Sequence, residues 1–137
     1  MGREAKESDV AIITIGRNSG EFQDRNLDND FNMSATEIEL IKNVSATFHA
    51  KGKKLIVLVN TGGVIETASW KDKVDAILLP WQPGQEGGNS VADVFSGKVN
   101  PSGKLSETFP ARVEDTPAAI DFPSRDGNAN YGEGIFI

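Results

Sequence analysis

The sequence of 137 residues contains no cysteine, which excludes disulfide bonds, thiolate zinc sites and a cysteine nucleophile. No apolar run approaches the ~20 residues that cross a bilayer, so we expect no membrane partner. Phosphate-binding motifs of the Gly-x-Gly-x-x-Gly or Gly-Lys-Ser/Thr type are absent, which disfavours nucleotide binding. Basic residues are few and scattered, since 14 Lys and Arg against 20 Asp and Glu give a net charge of −6. With nothing to neutralise a phosphate backbone, we expect no nucleic-acid partner.

Histidine is nearly absent as well. The single one, His49, stands near a predicted helix end with no acidic residue at the spacing of a ligand pair. We therefore expect a solvated imidazole, and we predict no metal and no other cofactor. The composition leaves the localisation open among cytoplasmic, periplasmic and secreted.

The length of the chain favours a single domain over 1–137, because a chain of this size can bury roughly two thirds of its unfolded surface in one core. Residues 1–8 hold no apolar segment of the signal-peptide type, and we interpret them as an added sequence or the start of a fragment. Residues 110–137 contain three prolines and scattered charges, which predict an extended tail along the surface.

Three apolar runs predict parallel strands over 9–15, 55–60 and 74–79. The first is almost continuously apolar, as expected of a strand that is covered on both faces. Because sheets usually contain about four to six strands, three strands indicate an incomplete domain. We predict an α/β fold with a partial doubly wound, mostly parallel sheet flanked by helices. Bare edges of such a sheet invite pairing, which suggests self-association through them.

Helix signals lie between these strands. Ser34 and Glu37 have the spacing of a capping box, which predicts a helix that begins at Ser34. Apolar side chains then recur at three- and four-residue steps, which places one face against the sheet: they are Ile38, Ile41, Val44 and Phe48. A second, short helix is predicted near Val94, with Glu86 as its cap, and residues 104–109 are predicted to form an edge strand.

The loop over 16–25 follows the first predicted strand, at the edge of the sheet where ligands bind in open α/β folds. An isolated carboxylate, Glu21, follows a glycine that lets the backbone approach a ligand closely. Asp24 and Arg25 add a second acid and a fixed positive charge. Residue chemistry alone leaves two interpretations of Glu21: a solvated surface glutamate, or a general acid/base at a ligand site.

Short motifs along the chain carry a resemblance to a known family. They are Ser19-Gly20-Glu21-Phe22-Gln23-Asp24-Arg25, Asp30-Phe31-Asn32-Met33-Ser34, Ala68-Ser69-Trp70, Trp81-Gln82-Pro83-Gly84-Gln85-Glu86-Gly87-Gly88, Asn100-Pro101-Ser102-Gly103-Lys104-Leu105, Thr108-Phe109-Pro110 and Tyr131-Gly132-Glu133-Gly134-Ile135. In this order and approximate spacing they resemble the α/β-sandwich domain of the β-glucosidases of glycoside hydrolase family 3. The resemblance covers 5–137, and Ser106 stands where the family commonly has proline.

This resemblance implies an active site that is divided between two domains. In the family, a barrel-type domain carries an aspartate nucleophile, and a loop of the six-stranded sandwich domain carries the acid/base glutamate. Glu21 matches the acid/base position, and the chain holds no barrel. The implied function is a part of a retaining β-glycosidase that hydrolyses terminal β-D-glucosyl residues of a β-glucoside or short β-glucan, with the isolated chain inactive.

Other candidate residues have two interpretations each. Asp24 and Arg25 either hold the loop through a charge-assisted hydrogen bond, which we favour, or contact the sugar. Trp81 either stacks on a sugar face or packs in the core, and we favour the core for Trp81 and Trp70. The alternative function is a non-catalytic scaffold or carbohydrate-binding α/β domain in which Glu21 is idle.

Overall fold

The computed structural model describes residues 2–18, 22–124 and 126–135. Its regular elements are helix α1 (Glu4–Glu7), strand β1 (Val10–Gly16), helix α2 (Ala35–His49), strand β2 (Lys54–Asn60), strand β3 (Ala76–Leu78) and helix α3 (Gly87–Phe95). Within the described residues the three strands form one sheet in the order β1-β2-β3, and both pairings are parallel. The predicted α/β class and parallel sheet with flanking helices are confirmed.

The core lies between one face of this sheet and helix α2. Register pairs Ile13 with Val57 and Ile15 with Val59, so these side chains point to the same face. The buried cluster on that face comprises Ile13, Ile15, Ile41, Leu55, Val57, Val59, Ile65 and Trp70. Because the buried and exposed side chains alternate along β1 and β2, a single face of each strand reaches the centre of this core.

The second face of the sheet is open over β1. Ile12 points to that face and is 48% exposed. Helix α3 lies beside the same face near β2, where Leu58 and Val91 line a cavity of about 490 Å³. The prediction of a first strand covered on both faces is therefore wrong for the described residues. An almost continuously apolar strand therefore has one face without a covering layer over β1 among the described residues.

Helix α2 confirms the predicted start signal. The Ser34 hydroxyl accepts a hydrogen bond from the Glu37 amide at 3.3 Å, and the Glu37 carboxylate accepts one from the Ser34 amide at 2.8 Å. These two bonds satisfy backbone donors that the first helical turn leaves free. The helix ends at His49, and Gly52 then adopts a φ of +66°, a conformation that glycine takes without a steric penalty.

The region after α3 differs from its predictions. Residues 104–109, predicted to form an edge strand, form no strand in the described part of the chain. Phe109 packs against the core instead, and its ring centre lies 6.0 Å from that of Trp81. The segment is thus held by an aromatic side chain rather than by a backbone ladder. Beyond Phe109 the described residues include two single 3₁₀ turns, Val113–Asp115 and Pro117–Ile120.

His49 is not simply solvated, as the sequence predicted, but bonded to an aspartate from a distant segment. Its Nε2 lies 2.8 Å from a carboxylate oxygen of Asp75, and its Nδ1 lies 3.1 Å from the Ser45 hydroxyl. Asp75 also accepts hydrogen bonds from Lys54 Nζ at 2.7 Å and from the Leu55 amide at 2.8 Å. These contacts join the end of α2, the start of β2 and the segment before β3.

Because of the contacts of Asp75, the free energy of unfolding depends on pH in the acidic range. Hydrogen bonds from Lys54, from the Leu55 amide and from His49 hold the pKa of Asp75 well below its usual range. Since the pKa is about 3.9 in an unfolded chain, ionised Asp75 stabilises the fold fully above about pH 4. This stabilisation is lost as the pH falls toward the lowered pKa of the folded state.

We expect the substitution Asp75→Asn to flatten this acid dependence. The free energy of unfolding of the variant should lie below that of the unsubstituted chain at pH 6, and the two values should converge between about pH 4 and pH 2. Urea unfolding at a series of pH values measures this difference. Asp72→Asn is the matched control, because Asp72 is exposed and makes no hydrogen bond within the described residues. Curves that stay parallel down to pH 2 would contradict the role given to Asp75.

Candidate active site

Glu21, the predicted catalytic residue, lies outside the described residues together with Ser19 and Gly20. The residues on either side of it are described and define the site. Gly16 ends β1, and Phe22, the residue after Glu21, is fully exposed with a φ of +68°. The residues that bracket Glu21 therefore lie at the carboxyl end of β1, where the sequence placed this loop.

A polar pocket of about 320 Å³ is lined by described residues on both sides of Glu21. Its lining includes both arginines of the loop and side chains that carry amide or carboxylate groups: Asn18, Gln23, Asp24, Asn26, Asn29 and Asp30. Groups of these two kinds donate and accept hydrogen bonds, as the hydroxyl groups of a sugar do. The pocket thus combines a strand-end position with groups that can hydrogen-bond a polar ligand.

Arg17 lines the pocket and was not among the predicted site residues. Its side chain is 7% exposed, and its guanidinium donates to both carboxylate oxygens of Glu37, at 2.7 and 3.1 Å. Burial acts to raise the pKa of Glu37, but hydrogen bonds from Arg17 and Ser34 outweigh it, so the pKa lies below its usual value. Two features of the sequence could have indicated this pair: an arginine directly after the first strand, and the acidic residue of the capping box, Glu37, at the start of the helix that follows.

Arg25 pairs with a different aspartate from the one that precedes it. Its Nη2 and Nε donate to one carboxylate oxygen of Asp30, at 2.6 and 3.0 Å, and its Nη1 donates to the Val64 carbonyl at 2.8 Å. Asp24 is exposed beside the pocket and makes no hydrogen bond or ion pair within the described residues. The favoured structural role is thus seen for Arg25, with Asp30 in place of Asp24.

The two tryptophans have different environments. Trp70 is fully buried, and its indole N–H donates to the Glu66 carbonyl at 2.8 Å, so its core role is confirmed. Trp81 is half-buried against Phe109 and is not among the described residues that line the polar pocket. A contact between Trp81 and a sugar remains a prediction.

Glu86 does not cap α3 in the way the sequence predicted. It precedes the helix, but its side chain bonds no backbone amide there. Its carboxylate accepts a hydrogen bond from the Asn89 side chain at 2.7 Å instead. The described residues contain no cluster of three His, Cys, Asp or Glu that could hold a metal ion. In the same part of the chain, no helix has the length and hydropathy that a membrane span requires.

The fold and site define a parallel α/β domain that presents a polar pocket at a strand end, the usual place for a ligand in such sheets. Comparison with known families then identifies the family to which the chain belongs. The chain belongs to glycosyl hydrolase family 3, because the model of the C-terminal domain of that family matches residues 1–137. The resemblance in the sequence motifs is confirmed.

Relatives of known name support the same family. A β-glucosidase of Rhizobium radiobacter is 40% identical over 97% of this chain, which spans 16% of that protein. An exo-α-(1→6)-L-arabinopyranosidase of Bifidobacterium longum is 35% identical over 96% of this chain, which spans 17% of that protein. The structure of β-glucosidase 3B from Thermotoga neapolitana in complex with glucose superposes with a TM-score of 0.92 at 48% identity, covering 99% of this chain and 20% of that one.

These relatives are glycoside hydrolases, and the chain spans only about a sixth to a fifth of their length. The matched part is the C-terminal α/β domain. The rest of each relative lies outside the part that this chain matches.

Proposed function

We propose that this chain contributes the general acid/base to a retaining β-glycosidase that removes terminal β-D-glucosyl residues, and that Glu21 is this residue. The observation that carries the proposal is the polar pocket formed by residues on both sides of Glu21, at the carboxyl end of β1. Membership of the family and the Ser19 to Arg25 motif support the same assignment.

The proposed reaction needs two carboxyl groups with opposite roles, about 5–5.5 Å apart. One attacks the anomeric carbon while Glu21 donates its proton to the departing glycosidic oxygen. Glu21 then removes a proton from the water that hydrolyses the glycosyl-enzyme, which restores both groups. Asp24 cannot be the nucleophile, because two acids three residues apart on one loop lack the opposed placement around the bond.

The nucleophile must come from a separate barrel-type domain, which is the principal partner in this proposal. We therefore expect no turnover of an aryl β-glucoside above buffer when the 137-residue chain is purified and assayed alone. The intact mass of the assayed sample provides the control for cleavage or contamination. Turnover by a chain of the correct mass would contradict the division of the site between two domains.

Substrate contacts within this chain are a further part of the proposal. Asp24 has the strongest support, because its exposed carboxylate lines the polar pocket. Arg25 has already donated three N–H groups to Asp30 and Val64, which leaves it less able to bind a sugar. Trp81 would have to act from the neighbouring loop. Glucose is the proposed sugar, and the arabinopyranosidase relative indicates that this domain type serves enzymes of other sugar specificity.

The alternative, a non-catalytic carbohydrate-binding domain, makes a different prediction for the isolated chain. It requires measurable binding of glucose or short β-glucans without the barrel domain. A calorimetric titration with both ligands separates the two functions. A heat of binding would favour the alternative, whereas its absence would leave the acid/base function.

Self-association through the edges of the sheet is also proposed. β1 and β3 are the outer strands of the described sheet, and each has one side without a strand partner there. Unpaired backbone groups on such edges can template pairing with a second copy. Sedimentation of the isolated chain over a range of concentrations tests this, and a monomer at every concentration would contradict it.

A further inference from the structure

Asp30 binds arginines from both ends of the loop that carries Glu21. Its backbone carbonyl accepts a hydrogen bond from Arg17 Nε at 2.7 Å. Its carboxylate accepts two from Arg25, at 2.6 and 3.0 Å. Residues 17 and 25 flank the segment 18–24, so a single residue holds the two ends of this segment.

Each arginine is fixed in turn to another element. Arg17 is bonded to Glu37 in the first turn of α2 and is almost fully buried. Arg25 donates to the Val64 carbonyl in the loop that follows β2. The end of β1, the start of α2 and the loop after β2 therefore meet at Asp30.

We propose that Asp30 is a positioning residue, which holds the segment 18–24 through Arg17 and Arg25 so that Glu21 is aligned with the leaving oxygen. This inference rests on the proposed function, because it assigns the alignment of the residue that we propose as acid/base. Charge-assisted hydrogen bonds suit this task, since they are shorter and stronger than neutral ones and the guanidinium fork fixes direction as well as distance.

Gly63 supports the inference from the opposite side of Arg25. A Cβ at this position would lie 2.7 Å from Arg25 Nη1, closer than any stable contact. The guanidinium cannot move away without loosening its bonds to Asp30 and Val64. Gly63 does not line the polar pocket, so a substitution there displaces Arg25 without adding or removing a charge near the substrate.

The expected effect of misalignment is large, because a displacement of about 1 Å at a reacting group can cost ~10²-fold in rate. A misplaced general acid slows the hydrolysis of those glycosides whose leaving group needs a proton. It has less effect on activated aryl glycosides, whose leaving group departs without one. A purely structural role for Asp30 would slow both kinds of substrate alike.

The experiment uses the full-length protein that contains this chain, with the variants Asp30→Ala and Gly63→Ala, which disturb the bonds of Arg25 and keep the Asp30 carbonyl that binds Arg17. We expect each to lower kcat/KM for an alkyl β-glucoside by about 10- to 100-fold and for a dinitrophenyl β-glucoside by less than about threefold. Arg112→Gln is the matched control, because Arg112 forms an exposed pair with Asp115 at 2.7 Å, away from the pocket. This control should leave both rates unchanged.

Hydrogen exchange of the Arg25 Nε–H, which donates to an Asp30 carboxylate oxygen at 3.0 Å, gives a second readout that does not depend on the chemistry of Glu21. Exchange should be faster by about tenfold or more in both variants and unchanged in the control. Unchanged exchange, or equal losses on the two substrates while Glu21→Gln discriminates between them, would overturn the positioning role. If Glu21→Gln itself slows both substrates equally, the proposed function fails, and the exchange rates alone decide whether Asp30 holds the segment.

Discussion

Glu21→Gln in the full-length protein is expected to lower kcat/KM for an alkyl β-glucoside by about 10²- to 10⁴-fold, the usual contribution of a general acid. The same variant should lower kcat/KM for a dinitrophenyl β-glucoside by less than about tenfold, because this leaving group departs without a proton. The ratio kcat/KM reports the step in which the glycosidic bond breaks. Steady-state rates with the two substrates, measured on the same preparation, test the prediction.

Glu39→Gln is the matched control for this substitution. Glu39 is an exposed residue of α2, and the change removes the same charge with the same change of shape. It should leave both rates unchanged. Equal losses on both substrates in Glu21→Gln would show that Glu21 is not the proton donor.

Trp70→Ala is expected to cost about 3–5 kcal/mol of the free energy of unfolding, as is typical when a buried aromatic side chain is removed. Trp70 is fully buried in the core, and its indole N–H bonds the Glu66 carbonyl at 2.8 Å. The substitution leaves a cavity and removes the donor to that carbonyl. Urea unfolding, followed by circular dichroism, measures the loss.

Trp81→Ala provides the comparison within the same chain. Trp81 is half-buried, and its ring contact is with Phe109. Its removal should cost distinctly less than the removal of Trp70, because less apolar surface returns to water. Equal losses in the two variants would contradict the placement of Trp70 at the centre of the core.

The elements that could be predicted from the sequence are those fixed by local signals. β1 and β2 follow from apolar runs, and α2 follows from the capping box of Ser34 and Glu37 with an apolar face at helical spacing. In each case, the groups that determine the structure lie within a few residues of one another. The position of the candidate site followed from the order of strand and loop, since ligands bind at the carboxyl ends of parallel strands.

The contacts that could not be predicted join residues far apart in the sequence. Asp24 was the expected partner of Arg25, since it is adjacent, but the turn over Leu27–Phe31 brings Asp30 to the guanidinium. His49 likewise meets Asp75, which is 26 residues away, because residues 61–74 return the chain from the end of β2 to the start of β3, beside the end of α2. Neither pair has a spacing signal in the sequence.

The predicted edge strand over 104–109 failed for a related reason. Its residues suit a strand, but a strand requires a neighbour with free backbone groups at the correct register. In the described residues, Phe109 contributes its side chain to the core instead. Local propensity was overridden by tertiary packing, as is common for short segments.

The central claim, that Glu21 is the general acid/base of a glycoside hydrolase, is tested most directly by the pH profile of kcat/KM in the full-length protein with an alkyl β-glucoside, whose leaving group needs the proton. The unsubstituted enzyme should give a bell-shaped profile, whose acid limb reports the nucleophile and whose alkaline limb reports the proton donor. The account predicts that Glu21→Gln retains the acid limb and loses the alkaline limb. An alkaline limb that persists unchanged in Glu21→Gln would contradict it.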